Sequence, residues 1–307
     1  MNLRQLSYFV RIAQMGSFSA AADALHVAQS ALSRHIKDLE NELGGELLDR
    51  GSRGVTLSDS GQVLFERALF IMSQLEDARA EVSAHNRELM GTVRLLAPSS
   101  IAQILFEPLV DRFLAEFPKV RLDLSEGLWN DAMSRLQTGE VDLAIVTGPR
   151  PSDYLDLEPL ASEQMVLVGK EGDPLVEKAS IAFSALADLE LMMPAVTLKF
   201  IRGFAPPMSE RLNVSILVES SPAIRALVAS GHGYAVVPRS VLMGKLENRK
   251  IKGVPIRGLE AVRQLATLRG RPKSRAMREL GKAIRLEFDG FIGDGRMRTP
   301  RASARRR

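Results

Sequence analysis

The chain has 307 residues, 45% hydrophobic and 25% charged, which suits an ordinary globular protein of two or more domains and excludes a fibrous or low-complexity chain. It has no cysteine, which excludes disulfides and thiolate metal sites, and its four histidines, His26, His35, His85 and His232, show no zinc-helix spacing. The net charge of +4 is uneven: residues 239–307 hold 20 Lys and Arg against 6 Asp and Glu, which leaves the preceding segment slightly acidic, so DNA binding there must rest on local cations such as Arg34, Lys37, Arg50 and Arg53.

In chain order, Asn2 and Gln5 resemble a capping pair before a helix whose buried stripe is expected to be Leu3, Leu6, Phe9, Val10 and Ala13, with Gly16 ending it. The opening MNLRQLSYFVRIAQ is too polar for a signal peptide, and no run approaches the roughly 20 apolar residues of a membrane span. A cytoplasmic protein without membrane contact is expected. Ser17 or Ser19 can cap a second helix, in which Ala20, Ala21, Ala22 and Ala24 let two backbones cross closely and Leu25 and Val27 close the corner.

In the third helix Leu32, Ile36, Leu39 and Leu43 make one 3.6-residue stripe toward a core, while Gln29, Ser30, Ser33, Arg34 and Lys37 lie opposite. Short hydrogen-bonding groups followed by cations are the chemistry needed to reach base edges and then phosphates of double-stranded DNA. Ala28 offers no side-chain acceptor, so Gln29 or Ser30 must cap this helix if anything does. An ordinary helix pair with a solvated face has the same periodicity. The order of parts favours a winged helix-turn-helix: a leading helix, the pair, then the hairpin-like LLDRGSRGVTL, with Leu47 and Leu48 entering a strand, Arg50 to Gly54 turning, Val55 to Leu57 returning and Arg53 as candidate wing residue.

Ser58 is expected to cap a long helix running to about Leu89. Phe65, Ala68, Met72, Leu75, Val82 and Leu89 keep three-four spacing, broken by Arg79 and Asn86, so an imperfect coiled-coil seam and a homodimer are expected. The alternative is that the stripe packs on its own domain.

From Gly91 the pattern becomes alternating strands and helices, which predicts an α/β domain with a largely parallel sheet, in one sheet or two lobes. Strands are expected at 93–97, 120–124, 141–146, 164–168, 189–193, 214–218, 234–237 and 264–268, and helices at 101–117, 130–138, 199–211, 223–230 and 275–288. The Arg-rich tail after residue 290 is expected to be disordered. Chemistry is sparse: Ser230-Gly231-His232-Gly233 lies between helix and strand, the reverse of a phosphate loop, and Ser99 has no nucleophile elbow around it, so no enzyme is read here. Pro98-Ser99-Ser100 and Val146-Thr147-Gly148 are strand ends, where the crevice of an open α/β sheet lies, and the helix beginning at Ser99 favours negative charge. An anionic effector near Ser99, Ser100 and Thr147 is therefore expected, with Lys199 or Arg202 able to reach in; no metal or resident cofactor is.

The segments LRQLSYFVRIAQMGSFSAAADALHVAQSALSRHIKDLENELGGELLDR, RGVTLSDSGQVL, VDLAIVTG and ASGHGYAVVP, in that order, resemble the LysR-type transcriptional regulators from Met1 to about Phe288. The resemblance implies a winged helix-turn-helix over residues 1–58, a linker and dimerisation helix over 59–90 and an effector-binding domain over 91–290. That domain would have two lobes like a periplasmic binding protein, lobe I about 92–161 and 267–290 and lobe II about 162–266, followed by a basic tail over 291–307. It implies that Gln29, Ser30, Ser33, Arg34, Lys37 and Arg53 contact DNA, that Ser99, Ser100, Thr147, Phe200 and Ser220 line the effector cleft, and that homodimers or homotetramers form. RNA polymerase is a further expected partner. Ala28 and Ser30 stand where Ser and Pro are more usual; with HVAQ and VTGPRP they resemble the branch containing the nitrogen assimilation control regulators. The expected function is a sequence-specific regulator of transcription controlled by a small effector. The competing expectations are a small-molecule binding or transport protein of the periplasmic-binding-protein type without a DNA role and, third, an enzyme with an appended helix-turn-helix.

Overall fold

Asn2 and Gln5 cap each other reciprocally, each side-chain oxygen accepting from the other's backbone N–H at 3.0 Å, and so open α1 (Leu3–Met15). This computed structural model describes every residue except 52–53, 84–88, 149–151, 244–249 and 301–307. Ser17 caps α2 (Phe18–Leu25), and α3 (Gln29–Leu43) follows after Ala28 with no side-chain cap. The three helices enclose Leu6, Phe9, Ile12, Phe18, Leu32, Ile36 and Leu39. Each such side chain contributes about 1.5–3 kcal/mol through burial. Three expected stripe members are not in it: Ala13 is only half-buried, and Leu3 and Leu43 are 44% and 46% exposed, because each of these two occupies the terminal residue of its helix, beyond the reach of a short three-helix core. Ile12, which the stripe omitted, is wholly buried.

The wing is β1 (Leu48–Gly51) against β2 (Gly54–Leu57), antiparallel, with Leu48 opposite Leu57. Ser58 accepts from Gly61 N at 3.0 Å as α4 (Asp59–Ser83) begins. The first two residues of the expected seam on α4, Phe65 and Ala68, pack within its own domain. Ala68 is wholly buried in the three-helix core, Leu64, Phe65 and Leu69 pack against it, and Phe65 meets Phe9 edge-on at 6.5 Å. Met72 and Leu75 are half-buried, while Val63 and Ile71 are exposed. The Val82 side chain, Asn86 and the helix expected over 84–88 lie outside the described residues.

The remaining elements are β3 (Gly91–Ala97), α5 (Ser99–Glu116), β4 (Val120–Glu126), α6 (Trp129–Gln137), β5 (Leu143–Thr147), β6 (Leu155–Lys170), β7 (Glu190–Met193), α7 (Ala195–Phe204), α8 (Pro206–Ser209), β8 (Asn213–Leu217), α9 (Ser221–Ala229), β9 (Tyr234–Pro238), β10 (Ile251–Leu268) and α10 (Arg275–Gly293). The sheet order is β4-β3-β5-β10-β6-β9-β7-β8. Pairs on the flanks are parallel, β3 with β5 and β7 with both β8 and β9. The centre is not: β10 runs antiparallel to β5 and β6, and β6 antiparallel to β9, so the sheet is mixed rather than largely parallel. The short strands expected at 164–168 and 264–268 are the ends of these two long strands. Pro159, Pro255 and Gly258 fall within them, and register shifts lie between Pro255 and Glu260 and between Arg263 and Gln264.

The tail also departs from expectation. The last helix continues to Gly293, Phe291 and Met297 are buried, Arg296 lies 4.3 Å over the Phe291 ring, and Arg298 bridges to Ser162. Residues 291–300 are thus packed by two apolar anchors; 301–307 lie outside the described residues. The chain forms two compact units, Met1–Gly91 with Met133–Val141, and Thr92–Ala132 with Asp142–Arg307. Among the described residues no helix is long and apolar enough to cross a membrane.

Gly61 is where α4 passes the entry to the wing, and a Cβ there would sit 1.9 Å from the Leu47 carbonyl oxygen. That oxygen also accepts from Ser58 N at 3.1 Å, so it cannot move freely. Gly61→Ala is expected to destabilise the N-terminal unit by about 1–3 kcal/mol, as forced overpacking does. Thermal unfolding of the isolated change against the parent checks it; an unchanged midpoint would contradict the close approach.

Candidate functional site

The third helix presents its two faces as its sequence requires. Leu32, Ile36 and Leu39 are fully buried, whereas Gln29, Ser30, Arg34 and Lys37 are exposed and Ser33 is half-buried. Because Ala28 provides no cap, the first amides of the helix carry no side-chain acceptor, and a helix N-terminus in that state offers N–H groups and partial positive charge to a phosphate. Ser19 Oγ lies 3.4 Å from Gln29 Oε1, and Tyr8 packs edge-on to His35 at 5.4 Å, so both α2 and α1 brace the helix. Glu40 accepts from Leu47 N at 2.9 Å and Leu48 N at 3.3 Å, which ties the wing to the same helix. Arg50, near the turn end of β1, lies 4.4 Å over the Phe18 ring, and Arg53 is outside the described residues.

The effector unit contains a cavity of about 790 Å³, within the usual range for small-ligand sites. Four of the five expected residues, Ser99, Ser100, Thr147 and Phe200, line it. Ser220 does not: it is the N-cap of α9, its hydroxyl accepting from Ala223 N at 3.4 Å, and its neighbour Ser221 faces the cavity instead, 3.0 Å from Ser99 Oγ. Of the two cations expected to reach in, Lys199 lines the cavity, while Arg202 lines a separate groove beside Glu210. The walls are apolar and aromatic, with Trp129, Ile145, Met165, Val196, Phe204 and Val241 among them. Glu219, at the rim, accepts from Ala195 N at 2.8 Å and so already occupies the first amide of α7.

The floor holds a pair that the sequence reading missed. Arg263, on β10, is 1% exposed and Glu163, on β6, is wholly buried. Arg263 grips Glu163 through Nε at 2.7 Å and Nη2 at 2.6 Å, donates to Ser100 Oγ at 3.3 Å and also donates to Thr147 Oγ1. The other Glu163 oxygen accepts from Ser240 N. Desolvating two charges is costly, and it is offset here because two guanidinium N–H groups share the Oε2 oxygen of Glu163 while the remaining atoms are bonded. A signal was present: Leu259, Ala261, Arg263 and Leu265 alternate along one strand, and Ala161, Glu163, Met165 and Leu167 along the other, each placing a charge at an inward apolar position.

Comparison with known proteins assigns both units. Residues 3–62 match the bacterial regulatory helix-turn-helix protein, lysR family, and residues 86–289 match the LysR substrate binding domain. The chain belongs to the LysR family. It is 34% identical over 247 residues to the nitrogen assimilation regulatory protein nac of Klebsiella aerogenes, covering 78% of this chain and 79% of that protein. It is 31% identical over 309 residues to the SDS degradation transcriptional activation protein of a Pseudomonas species, covering 99% of each. Full-length OxyR from Pseudomonas aeruginosa superposes with a TM-score of 0.73 at 28% identity over 93% of this chain and 95% of that one. CbnR solved with its target DNA gives a TM-score of 0.69 at 21% identity over 93% and 99%, a likeness of fold. The chain is thus a LysR-type DNA-binding transcriptional regulator with an effector-binding domain, and the transport-protein alternative is set aside because its relatives are regulators.

In this LysR-family chain the floor pair generates a stability prediction. Arg263→Met leaves Glu163 buried without its cation and is expected to cost about 3–5 kcal/mol, whereas the double change with Glu163→Gln restores much of the loss. Denaturant unfolding of the parent, both single variants and the double variant checks this; additive losses would contradict the coupling.

Proposed function

We propose that this regulator responds to a small molecule bearing an anionic group, bound in the cavity between the lobes, and that occupancy alters its interaction with double-stranded DNA. The observation that carries the reading is the cavity's mixed lining: apolar and aromatic walls, with the uncapped start of α5, the Ser100 and Thr147 hydroxyls and Lys199 among its polar groups. An apolar body with a carboxylate or similar group matches that lining. With no cysteine in the chain, a thiol-based redox signal is not available.

On the DNA side, Gln29, Ser30, Ser33, Arg34 and Lys37 are the proposed contacts of α3 in the major groove, with Arg53 as the wing residue. The protein acts in the cytoplasm as a homodimer or homotetramer, which sets two reading helices on one site, and RNA polymerase is its proposed partner at the promoter. Regulation rather than catalysis is its role.

Two measurements test these assignments together. Arg34→Ala is expected to lower affinity for the footprinted site upstream of the protein's own coding region by roughly 1–3 kcal/mol without changing the unfolding midpoint. Organic carboxylates are expected to raise the parent's unfolding temperature and to do so less in Ser100→Ala. Undiminished binding by Arg34→Ala would displace the reading face, and stabilisation confined to neutral or cationic compounds would displace the anionic effector.

A further inference from the structure

Helices α5 and α9 come from opposite halves of the sheet and touch twice, once at the cavity wall and once behind it. Ser99 Oγ and Ser221 Oγ are 3.0 Å apart, and one turn deeper Arg225 Nη1 donates to Gln103 Oε1 at 3.0 Å. The serine contact falls at the starts of both helices, the positive ends of the two backbone dipoles, and the Arg225–Gln103 contact lies one turn further along each. Arg225 is buried, its Nη1 also donates to the Val241 carbonyl at 2.7 Å, and its Nη2 has no partner among the described residues. Burial holds this guanidinium below its ordinary pKa.

Gln103 in turn donates to the Ser240 carbonyl at 2.6 Å, the Ser240 amide donates to Glu163, and Glu163 holds Arg263. The result is one continuous buried layer beneath the floor, with two guanidinium groups and one carboxylate, and the carboxylate is engaged by Arg263. Arg225 has no anion of its own in it.

Resting on the reading of the cavity as an effector site, we propose that Arg225 is the residue that sets its charge selectivity. It acts through Gln103 and the paired helix starts as a positioning residue, and the anionic group of the ligand supplies the counter-charge that the layer lacks. A fixed charge in a poorly solvated interior acts over several ångströms because little water screens it.

Trp129 is the chain's one tryptophan and lines the cavity, so its fluorescence reports occupancy directly. The full-length protein is titrated with phenylacetate and with phenylacetamide, which share a shape and differ in charge. The parent is expected to prefer the carboxylate by about tenfold or more. Arg225→Gln is expected to bring the two affinities together by weakening phenylacetate alone, and Arg225→Lys to restore the preference. Gln103→Glu, which gives Arg225 a carboxylate partner without removing it, is expected to lose the preference too and carries the test if Arg225→Gln does not fold. A parent that prefers phenylacetate while Arg225→Gln or Gln103→Glu keeps that preference overturns the role of Arg225 alone. A parent that binds neither compound, or both equally, overturns the anionic-effector reading and this inference with it.

Discussion

The ligand cavity of the effector unit is organised by the buried ion pair at its floor. Arg263 and Glu163 sit on the two long strands that cross from one half of the sheet to the other, and neither charge is tolerable there without its partner and the surrounding hydrogen bonds. Because Arg263 also reaches Ser100 at the start of α5 and Thr147 at the end of β5, the pair fixes the cavity floor to one half of the sheet. Because Glu163 takes the Ser240 amide, it fixes the floor to the other half as well. The same few atoms that keep two charges buried therefore determine where a ligand's polar end can rest.

The N-terminal unit is organised by a different constraint, the close approach of backbones. Small residues in α2 admit α1 and α3, Gly61 lets α4 pass the wing entry, and Val55 N donates to Gly16 O at 2.9 Å. The start of α4 joins the same core through Phe65 and Ala68, the first two residues that its spacing assigned to a dimer seam. What these contacts leave on the outside of α3 is a run of short polar groups followed by Arg34 and Lys37, with an uncapped helix start ahead of them. A reading helix needs both its rigid inner stripe and that open outer face, and the absence of a cap at Ala28 costs little helix stability if a phosphate takes the place of the missing acceptor.

Much of this was legible because local rules governed it. The capping pair at Asn2 and Gln5, the inner stripe of α3, the wing strands and the cavity positions of Ser99, Ser100, Thr147 and Phe200 all follow from spacing or from strand-end position and resemblance. Where tertiary context overrode local pattern, the reading failed. Only the last few residues of two long strands were expected, Leu3 and Leu43 were assigned to a core too short to cover them, and Phe291 and Met297 anchor a segment that its arginines made look disordered. Ser220 was off by one residue because the N-cap, not the cavity, claimed its hydroxyl. Arg263 and Glu163 were overlooked because each is ordinary by itself and becomes informative only when their two strands are known to be neighbours.

Coupling between the cavity and DNA binding is the claim on which the account as a regulator rests. The direct measurement follows both events in one sample, with Trp129 fluorescence reporting the cavity and anisotropy of a labelled operator fragment reporting DNA, during titration with a carboxylate that stabilises the parent. Operator affinity is expected to shift over the same ligand concentrations that change Trp129 emission, and saturating DNA to shift the ligand's affinity by the same factor. A cavity that fills with no change in operator affinity would contradict it.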